Sequence, residues 1–338
     1  MENRKIGKLE VSPIGMGCMG FSHGYGQIPP VDYSIEAIRE AYEYGCTHFD
    51  TAEVYGRELY HQGHNEEILG KAIAPFRDKV TIATKYFITD DDVASGKPLY
   101  ACVRRHLEGS MQRLLTDHID LYYLHKINEA VPLEEVAEVM GRLIREGFIS
   151  EWGLSQVSGE QLSRAHAVTP VGAVQNIYSM MERDCETDIF PIALDRGIAV
   201  VPFSPIASGF LSGKVTTETK FEGDDVRKFV PQLSRENIER NQPVIDLLSR
   251  FATEKNATNA QISLAWMLHK YPNVIPIPGS KNKGRIIENL GAWNVRLTDE
   301  EFKALDAALD SIKIYGHRGH VENTKTSFGN NWKNEYKS

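Results

Sequence analysis

The chain alternates short apolar runs with longer segments in which apolar residues recur at helical spacing. Short runs of this kind are typical of buried strands, and the longer segments are typical of amphipathic helices. The first helix is predicted to begin with Asp32 as its N-cap and to end at Gly45, and a strand at 47–50 follows directly. The same unit then repeats along most of the chain.

This repetition predicts eight strands that alternate with helices. The predicted strands cover residues 12–16, 47–50, 80–85, 119–125, 148–155, 173–176, 198–203 and 274–277, and later helices are predicted near 98–115, 132–145, 158–167, 243–253 and 259–268. Such alternation implies parallel pairing with right-handed crossovers, and a ring of eight strands closes without an exposed edge. We therefore predict an α/β fold, a (β/α)8 TIM barrel in a single domain over residues 1–338. A short N-terminal β-hairpin precedes the barrel, and extra C-terminal helices and a tail at about 314–338 follow it.

One motif favours a different fold. The spacing Gly15-x-Gly17-x-x-Gly20 matches the dinucleotide fingerprint of a doubly wound sheet, which requires the glycines to open a helix. Here turn-forming residues continue as far as Pro30, and the predicted helix begins only at Asp32. We interpret the motif as a glycine-rich exit from the first strand, where the backbone can approach a ligand closely.

The composition restricts the possible classes of function but does not distinguish between folds. With 338 residues and 41% hydrophobic content, the chain can bury a core large enough for one barrel or for two smaller domains. The net charge of -8 argues against nucleic acid or an anionic membrane surface as the main partner. The first residues lack the apolar core of a secretory signal, and no run of 18 apolar residues occurs, so we predict a soluble, cytoplasmic protein.

The four cysteines are Cys18, Cys46, Cys102 and Cys185. They are widely spaced and form neither a C-x-x-C pair nor a disulfide framework, so reduced thiols are predicted.

Polar residues stand at the ends of three successive predicted strands: Asp50, Lys85 and His125. In a parallel barrel the carboxyl ends of the strands form one rim, which carries the active site. Tyr55 lies five residues beyond Asp50 and can join the other three from the adjacent loop. The sequence therefore predicts an acid/base site at this rim.

These four side chains can support only a narrow range of reactions. A phenol has an ordinary pKa of about 10 and donates its proton poorly at neutral pH unless its anion is stabilised. Lys85 is expected to supply that stabilisation, Asp50 to keep the lysine charged and oriented, and His125 to orient a substrate carbonyl. Since no nucleophile with an adjacent base is present in the cluster, it favours proton transfer to a developing alkoxide, as in a carbonyl reduction.

With these residues the sequence resembles the aldo-keto reductase superfamily, whose members are NAD(P)H-dependent reductases on a (β/α)8 barrel. The similarity covers nearly the whole chain and rests on these segments in order: Asp50-Thr51-Ala52-Glu53-Val54-Tyr55, Asn65-Glu66, Leu69-Gly70-Lys71-Ala72, Thr84-Lys85, Asp120-Leu121-Tyr122-Tyr123-Leu124-His125, Gly153-Leu154-Ser155, Gln175-Asn176-Ile177-Tyr178-Ser179, Phe203-Ser204-Pro205, Ile277-Pro278-Gly279-Ser280-Lys281 and Glu288-Asn289-Leu290. The resemblance implies that Tyr55 is the general acid, that Lys85 and Asp50 tune it, and that His125 orients the carbonyl.

The resemblance also implies a nicotinamide cofactor and its site. Ser155 and Gln175 match positions that hold the carboxamide, and Phe203 matches the aromatic residue that stacks on the nicotinamide ring. Further cofactor positions are implied at Gly17, Gln156, Ser204, Pro205, Gly279, Ser280, Lys281, Arg285, Glu288 and Asn289. At Gln156 many relatives carry Asn, and the longer amide is expected to reach the carboxamide or the substrate.

Two cations in this set favour NADPH over NADH. A 2′-phosphate carries up to two negative charges, which Arg285 can bind bidentately while Lys281 acts as a point charge. The expected function is the reversible, NADPH-dependent reduction of an aldehyde or ketone to an alcohol, with a small-molecule carbonyl as partner.

Other interpretations stay open at this point. Asp50 and Lys85 taken alone are consistent with a structural ion pair, Tyr55 with a packing residue and His125 with a core histidine. A second function on the same barrel is a nucleotide-sensing regulatory subunit with little turnover, as in the potassium-channel β subunits that this family resembles. Whether the chain forms a homo-oligomer is also open.

Two histidine pairs, His61-x-x-His64 and His317-x-x-His320, resemble parts of metal sites. Neither has a third ligand at helical spacing, so no metal is expected.

Loops over the rim are expected to determine the substrate. The aromatic residues Phe21, Tyr25, Tyr86 and Phe87 are candidates for the pocket wall. The segment 208–235, here called the strap, is expected either to fold over the cofactor or to be a mobile surface loop, and the tail after 314 either to reach the pocket or to contact another subunit.

Overall fold

Parallel strands ringed by helices form the body of the computed structural model, which describes residues 2–318. Its strands are β1 (Arg4–Ile6), β2 (Leu9–Val11), β3 (Met16–Gly17), β4 (His48–Asp50), β5 (Thr81–Tyr86), β6 (Ile119–Leu124), β7 (Ile149–Ser155), β8 (Ala173–Gln175) and β9 (Ala199–Val200). Strands β3 to β9 form one parallel sheet in chain order. Sequential order with parallel pairing is the arrangement that repeated strand–helix units produce.

The ring is closed by the segment 274–279. This segment forms parallel bridges to β9 at Val200↔Val274 and to β3 at Gly17↔Gly279. Pro276 and Pro278 lack an N–H group, so the segment cannot form a continuous ladder of hydrogen bonds. It nevertheless occupies the eighth position, and the predicted (β/α)8 fold is confirmed.

Helices cover the outside of the ring. They are α1 (Val31–Glu43), α2 (His64–Ile73), α3 (Asp90–Ala94), α4 (Leu99–Arg113), α5 (Leu133–Arg145), α6 (Gly159–Val168), α7 (Cys185–Asp188), α8 (Phe190–Arg196), α9 (Arg235–Arg240), α10 (Gln242–Lys255), α11 (Asn259–Lys270), α12 (Lys283–Leu290) and α13 (Asp299–Asp310). Short 3₁₀ helices lie at Met19–Phe21, Ala74–Lys79, Ala207–Ser212, Val226–Phe229, Pro231–Leu233 and Gly291–Asn294.

Local signals account for several helix starts. Ser158 caps α6 in a capping box with Gln161, as Thr258 caps α11 with Gln261. The predicted start of α1 was wrong by two residues, because Pro30 is the N-cap and Asp32 lies inside the first turn. The fixed φ of Pro30 directs the chain into the helix, and the Asp32 carboxylate complements the helix dipole there.

The core has two layers because successive side chains of a strand point to opposite faces. In β6, Leu121 and Tyr123 belong to the interior of the barrel, whereas Tyr122 and Leu124 pack under the helices. The interior layer also contains Ile6 and Val11 of the β1–β2 hairpin. The predicted N-terminal hairpin is thus present, and its apolar side contributes to the barrel core.

The glycine motif does not open a helix. A Cβ atom on Gly17 would lie 2.9 Å from the Ile277 carbonyl oxygen, so the glycine allows β3 to approach the closing segment. Gly20 lies within the 3₁₀ helix Met19–Phe21. The motif therefore serves barrel closure, and the alternative doubly wound fold is excluded.

All four cysteines are free and buried, as the sequence predicted. Among residues 2–318, no helix is long and apolar enough to cross a bilayer. The predicted tail beyond residue 318, with His320, lies outside the described residues.

A buried histidine predicts acid sensitivity of the fold. His48 is fully buried below Asp50 in β4, and burial lowers its pKa from 6.5 to about 4. The unfolded chain therefore binds an extra proton between these values, so stability is lost as the pH falls from about 6.5 towards 4. The linked loss is on the order of 3 kcal/mol.

The check is the free energy of unfolding, measured by urea denaturation at pH 7 and pH 4.5. The His48→Gln variant, which cannot titrate at this position, is expected to lose less stability than the wild type over this interval. Equal losses in the two proteins would contradict the prediction.

Candidate active site

The barrel brings the four predicted acid/base residues to one rim. Asp50 ends β4, Lys85 lies near the end of β5, and His125 directly follows β6. Tyr55 reaches the same place from the loop after β4, and its ring centroid lies 5.9 Å from that of His125. Neighbouring parallel strands thus align residues that are far apart in the chain.

A buried ion pair lies at the base of the site. The Lys85 ammonium donates hydrogen bonds to the Asp50 carboxylate and, at 2.7 Å, to the Thr51 carbonyl oxygen. Burial alone would lower the pKa of Lys85, but the charge and hydrogen bond of Asp50 outweigh burial, so the pKa of Lys85 is raised. Lys85 is therefore a permanent cation at neutral pH.

Tyr55 lies close to this cation. Its hydroxyl lies 3.5 Å from Lys85 Nζ. Burial raises the pKa of Tyr55, the ammonium of Lys85 opposes that rise, and the carboxylate of Asp50 adds to it. The expected net lowering of the phenol pKa is not found in this structure. The phenol instead stays protonated at neutral pH, which is the form that a general acid requires.

His125 is held neutral beside Tyr55. Burial and the nearby Lys85 charge keep the pKa of its imidazole well below the usual value of 6.5. The ring of Phe87 stacks on it with centroids 4.5 Å apart. Within residues 2–318 its buried Nδ1 atom has no hydrogen-bond partner. A neutral imidazole of this kind can donate an N–H to a carbonyl oxygen without supplying a charge.

The residues expected at the carboxamide end lie beside the ion pair. Gln175 donates from Nε2 to Asp50 Oδ2 at 2.8 Å, so its amide is hydrogen-bonded to the carboxylate of the buried ion pair. Ser155 is buried at the end of β7. Gln156 follows with a positive φ of 58° and bonds through its N–H to the Gln175 carbonyl oxygen. The structure therefore places all three residues at the rim.

The segment 203–208 lies at the end of the next strand. Phe203 is partly buried against the barrel interior, and Pro205 is buried beyond it. Ser204, Ala207 and Ser208 all have positive φ values, between 45° and 55°. Such backbone strain is typical of ligand sites. The buried hydroxyl of Ser208 has no hydrogen-bond partner among the described residues, so a bound polar group can satisfy it.

The predicted phosphate-binding residues surround the start of α12. Asn282 caps this helix, and its preceding neighbours Gly279, Ser280 and Lys281 line the approach to the N-terminus. Lys281 Nζ donates to the main-chain carbonyl of Tyr25 at 2.6 Å. Arg285 in the first turn of α12 is exposed. Anions are favoured at such a helix start, and in this conformation Arg285 presents the more accessible cation.

At the far side of this helix, Glu288 is half-buried and Asn289 is buried. The Glu288 carboxylate forms an ion pair with Lys214 of the strap, with Lys214 Nζ 3.3 Å from Glu288 Oε2.

The strap is anchored at both sides of the rim. Besides the Lys214–Glu288 pair, Asp224 accepts a hydrogen bond from the Gly24 N–H at 2.8 Å, and the Val226 N–H donates to the Gly24 carbonyl oxygen. The Arg227 guanidinium lies 5.3 Å from the centroid of the Tyr25 ring. These contacts place the strap across the groove between α12 and the loop after β3.

Two of the four aromatic residues predicted for the pocket wall lie at the rim. Phe87 stacks on His125, and Tyr25 is half-buried beneath Arg227. The other two are misplaced. Tyr86 points to the helix side of β5, where its ring stacks on Tyr122, because its neighbour Lys85 points inward. Phe21 is fully buried in the outer core layer, so neither side chain can line the pocket.

A buried polar group that was not predicted from the sequence lies behind the rim. His106 of α4 lies between the carboxylates of Glu53 and Asp92, at 2.9 Å and 3.0 Å. A weak signal was present, because His106 follows Cys102 by four positions and so shares the buried face of α4. Its partners are separated from it in the chain by up to 53 residues, which no local pattern indicates.

The histidine pair at the front of α2 has protein partners. His61 contacts Glu67 at 3.1 Å, and His64 Nδ1 contacts the Ser22 hydroxyl at 3.0 Å. In the described part of the chain, no group of three or more histidine, cysteine or acidic side chains is arranged to hold a metal ion.

The fold and the rim define a barrel with an acid/base site suited to proton transfer. A family model described as the aldo/keto reductase family matches residues 13–310, so the chain belongs to that family. Its members are oxidoreductases that use a nicotinamide cofactor. The chain is 35% identical over 315 residues to a protein from Glycine max named probable aldo-keto reductase 1, covering 92% of this chain and 89% of that protein.

Solved structures agree with this assignment. A glycerol dehydrogenase from Gluconobacter oxydans superposes with a TM-score of 0.80 at 28% identity, over 92% of this chain and 96% of that chain. An aldo/keto reductase from Klebsiella pneumoniae, crystallised with NADP and acetate, superposes with a TM-score of 0.71 at 26% identity, over 94% and 99% of the two chains.

The buried ion pair predicts strong thermodynamic coupling between Asp50 and Lys85. Asp50→Asn and Lys85→Met each leave one buried charge without its counter-charge, so each is expected to lower the free energy of unfolding by about 3–5 kcal/mol. The double variant removes both charges and is expected to lose much less than the sum. Urea denaturation of the four proteins at pH 7 measures this coupling, and additive losses would show that the pair is not coupled.

Proposed function

We propose that this protein reduces an aldehyde or ketone to an alcohol with NADPH, reversibly, and that Tyr55 donates the proton. The observation that carries the proposal is the Tyr55 hydroxyl, which is protonated at neutral pH and lies 3.5 Å from the Lys85 ammonium. An alkoxide that forms next to this phenol takes its proton, and the adjacent ammonium stabilises the phenolate that remains.

His125 orients the carbonyl in this scheme. Its neutral ring offers an N–H at the side of Tyr55, so the substrate oxygen can be held between the phenol and the imidazole. Phe87 packs on the imidazole face and limits its rotation. Two hydrogen-bond donors directed at one oxygen stabilise the charge that develops on it.

The rim also fits a nicotinamide dinucleotide. When bound, this cofactor supplies the hydride that the carbonyl carbon receives. The unpartnered hydroxyl of Ser208, the positive φ values around it and the helix start near Ser280 are features of a site for a polar, anionic ligand. Ser155, Gln156 and Gln175 are then the carboxamide contacts, and Phe203 the stacking surface.

Tyr55→Phe tests the proton transfer. Turnover of a carbonyl substrate is expected to fall at least roughly 10²-fold, because positioned acid catalysis contributes about 10²- to 10⁴-fold. NADPH affinity is expected to stay within about twofold, since the lost hydroxyl faces the carbonyl. The assay is NADPH absorbance at 340 nm with aromatic aldehydes, methylglyoxal and sugar aldehydes, and equal turnover in the variant would remove Tyr55 from the mechanism.

Arg285→Ala tests the choice of cofactor. We expect the KM for NADPH to rise roughly tenfold or more and the KM for NADH to stay within about twofold, because only the 2′-phosphate is lost as a partner. Lys283→Met is the matched control in the same helix turn. The Lys283 ammonium is already held by Glu36 and Glu40 at 2.8 Å and 2.7 Å, so this change should leave both KM values unaltered. Similar increases for both cofactors would contradict the role of Arg285.

Cofactor binding and turnover of the wild-type protein, measured together, distinguish a reductase from a nucleotide sensor. Tight NADPH binding, measured by fluorescence, with no turnover on any carbonyl would favour the sensor. Absence of binding to NADPH and to NADH would contradict both functions.

A further inference from the structure

A buried polar cluster joins one loop and two helices behind the substrate side of the rim. Its centre is His106 of α4, with Glu53 from the loop after β4 on one side and Asp92 of α3 on the other. The side chains of Glu53 and Asp92 are 2% and 3% exposed, and that of His106 is 10% exposed. Buried charged groups are costly unless they are paired and hydrogen-bonded, so such a cluster has a structural or functional reason.

Glu53 connects this cluster to the substrate pocket. Its Oε1 atom accepts a hydrogen bond from the Phe87 N–H at 3.1 Å, while Oε2 faces the His106 ring. The Glu53 main chain donates to the Lys85 carbonyl oxygen and accepts from the Gly63 N–H. One carboxylate thereby joins the catalytic loop, the end of β5 and helix α4.

Phe87 is the side chain through which the cluster reaches the reacting groups. Its ring stacks on that of His125 with centroids 4.5 Å apart. Its main-chain N–H donates to the carboxylate of Glu53, which precedes Tyr55 by two residues in the chain. A change in the position of Glu53 therefore moves the wall that supports His125.

We propose that the Glu53–His106 pair is a positioning device of the substrate pocket. It holds Phe87 against His125 and so determines how tightly the carbonyl substrate is bound. This inference rests on the proposed reductase function. Glu53 and His106 are positioning residues, since the groups that contact the substrate are Phe87, His125 and Tyr55.

Charge on His106 is expected to control the device. Burial alone would lower the pKa of His106, but the hydrogen bonds and charges of Glu53 and Asp92 outweigh it, so the pKa is raised above 6.5. Facing the ring are Glu53, Asp92, the Arg105 guanidinium at 3.3 Å and the Tyr86 ring at 6.1 Å. Only the imidazolium can donate to both carboxylates, because neutral imidazole has a single N–H.

The KM for the carbonyl substrate is therefore expected to depend on pH. As the pH rises through the raised pKa of His106, one of the two hydrogen bonds is lost and Glu53 is held less firmly. The KM for the carbonyl is then expected to increase, while kcat and NADPH affinity change little. This transition is separate from titration of Tyr55, whose pKa is raised above its ordinary value of 10.

The test uses steady-state kinetics of the full-length protein from pH 6 to 9. Wild type is expected to show a KM for the carbonyl that rises several-fold with pH. His106→Gln is expected to raise the KM for the carbonyl roughly tenfold, the size expected when a hydrogen bond between charged groups is lost. This raised KM is expected to be independent of pH over the same range. His269→Gln, which alters a surface histidine paired with Asp299, is the control and should match wild type.

A second measurement does not depend on turnover. In NMR titrations the His106 ring and the Phe87 amide of wild type are expected to shift with one midpoint above 6.5, and the Phe87 shift should be absent in His106→Gln. Unchanged KM and pH profile in a well-folded His106→Gln, or a Phe87 amide that ignores His106, would overturn the inference. Lack of turnover in wild type would instead contradict the proposed function, and the NMR result would still decide whether the device exists.

Discussion

The buried contact between Asp50 and Lys85 is the constraint on which the rest of the site depends. A lysine ammonium inside a barrel is stable only with a counter-charge and further acceptors, and Asp50, together with the Thr51 carbonyl oxygen, supplies them. Both charged side chains point inward from adjacent strands, so the pairing of β4 with β5 is required for their contact. The geometry of the candidate site and the strand register are therefore linked at this position.

The fixed charge of Lys85 determines what its neighbours can do. It helps to keep His125 neutral and opposes the rise in the Tyr55 pKa that burial causes. Burial outweighs this opposition at Tyr55, so the two neighbours are present at neutral pH as a protonated phenol and an uncharged imidazole. This is a pair of hydrogen-bond donors around one oxygen position, which suits a carbonyl that becomes an alkoxide.

The fold and the grouping of polar residues at the rim were predictable because they depend on local regularities. Apolar runs and helical spacing identified the alternating elements, and the polar residues that end the runs identified Asp50, Lys85 and His125. Tyr86 and Phe21 were assigned to the wrong surroundings, since position after a strand does not show which face a side chain takes. Because successive side chains of a strand alternate between its two faces, the inward position of Lys85 places Tyr86 outside the barrel. The start of α1 was missed for a simpler reason, because Pro30 replaces the expected acidic cap.

The sequence by itself determined the order of strands and helices, the residues at the strand ends and, through its motifs, the family. These features depend on neighbours in the chain, whose spacing is visible without a structure. Only the tertiary structure decided that Gln175 contacts Asp50, that the strap crosses the rim to Gly24, and that His106 lies between Glu53 and Asp92. Each of these contacts joins residues from different strand–helix units, and their meeting depends on how the closed ring brings distant loops together.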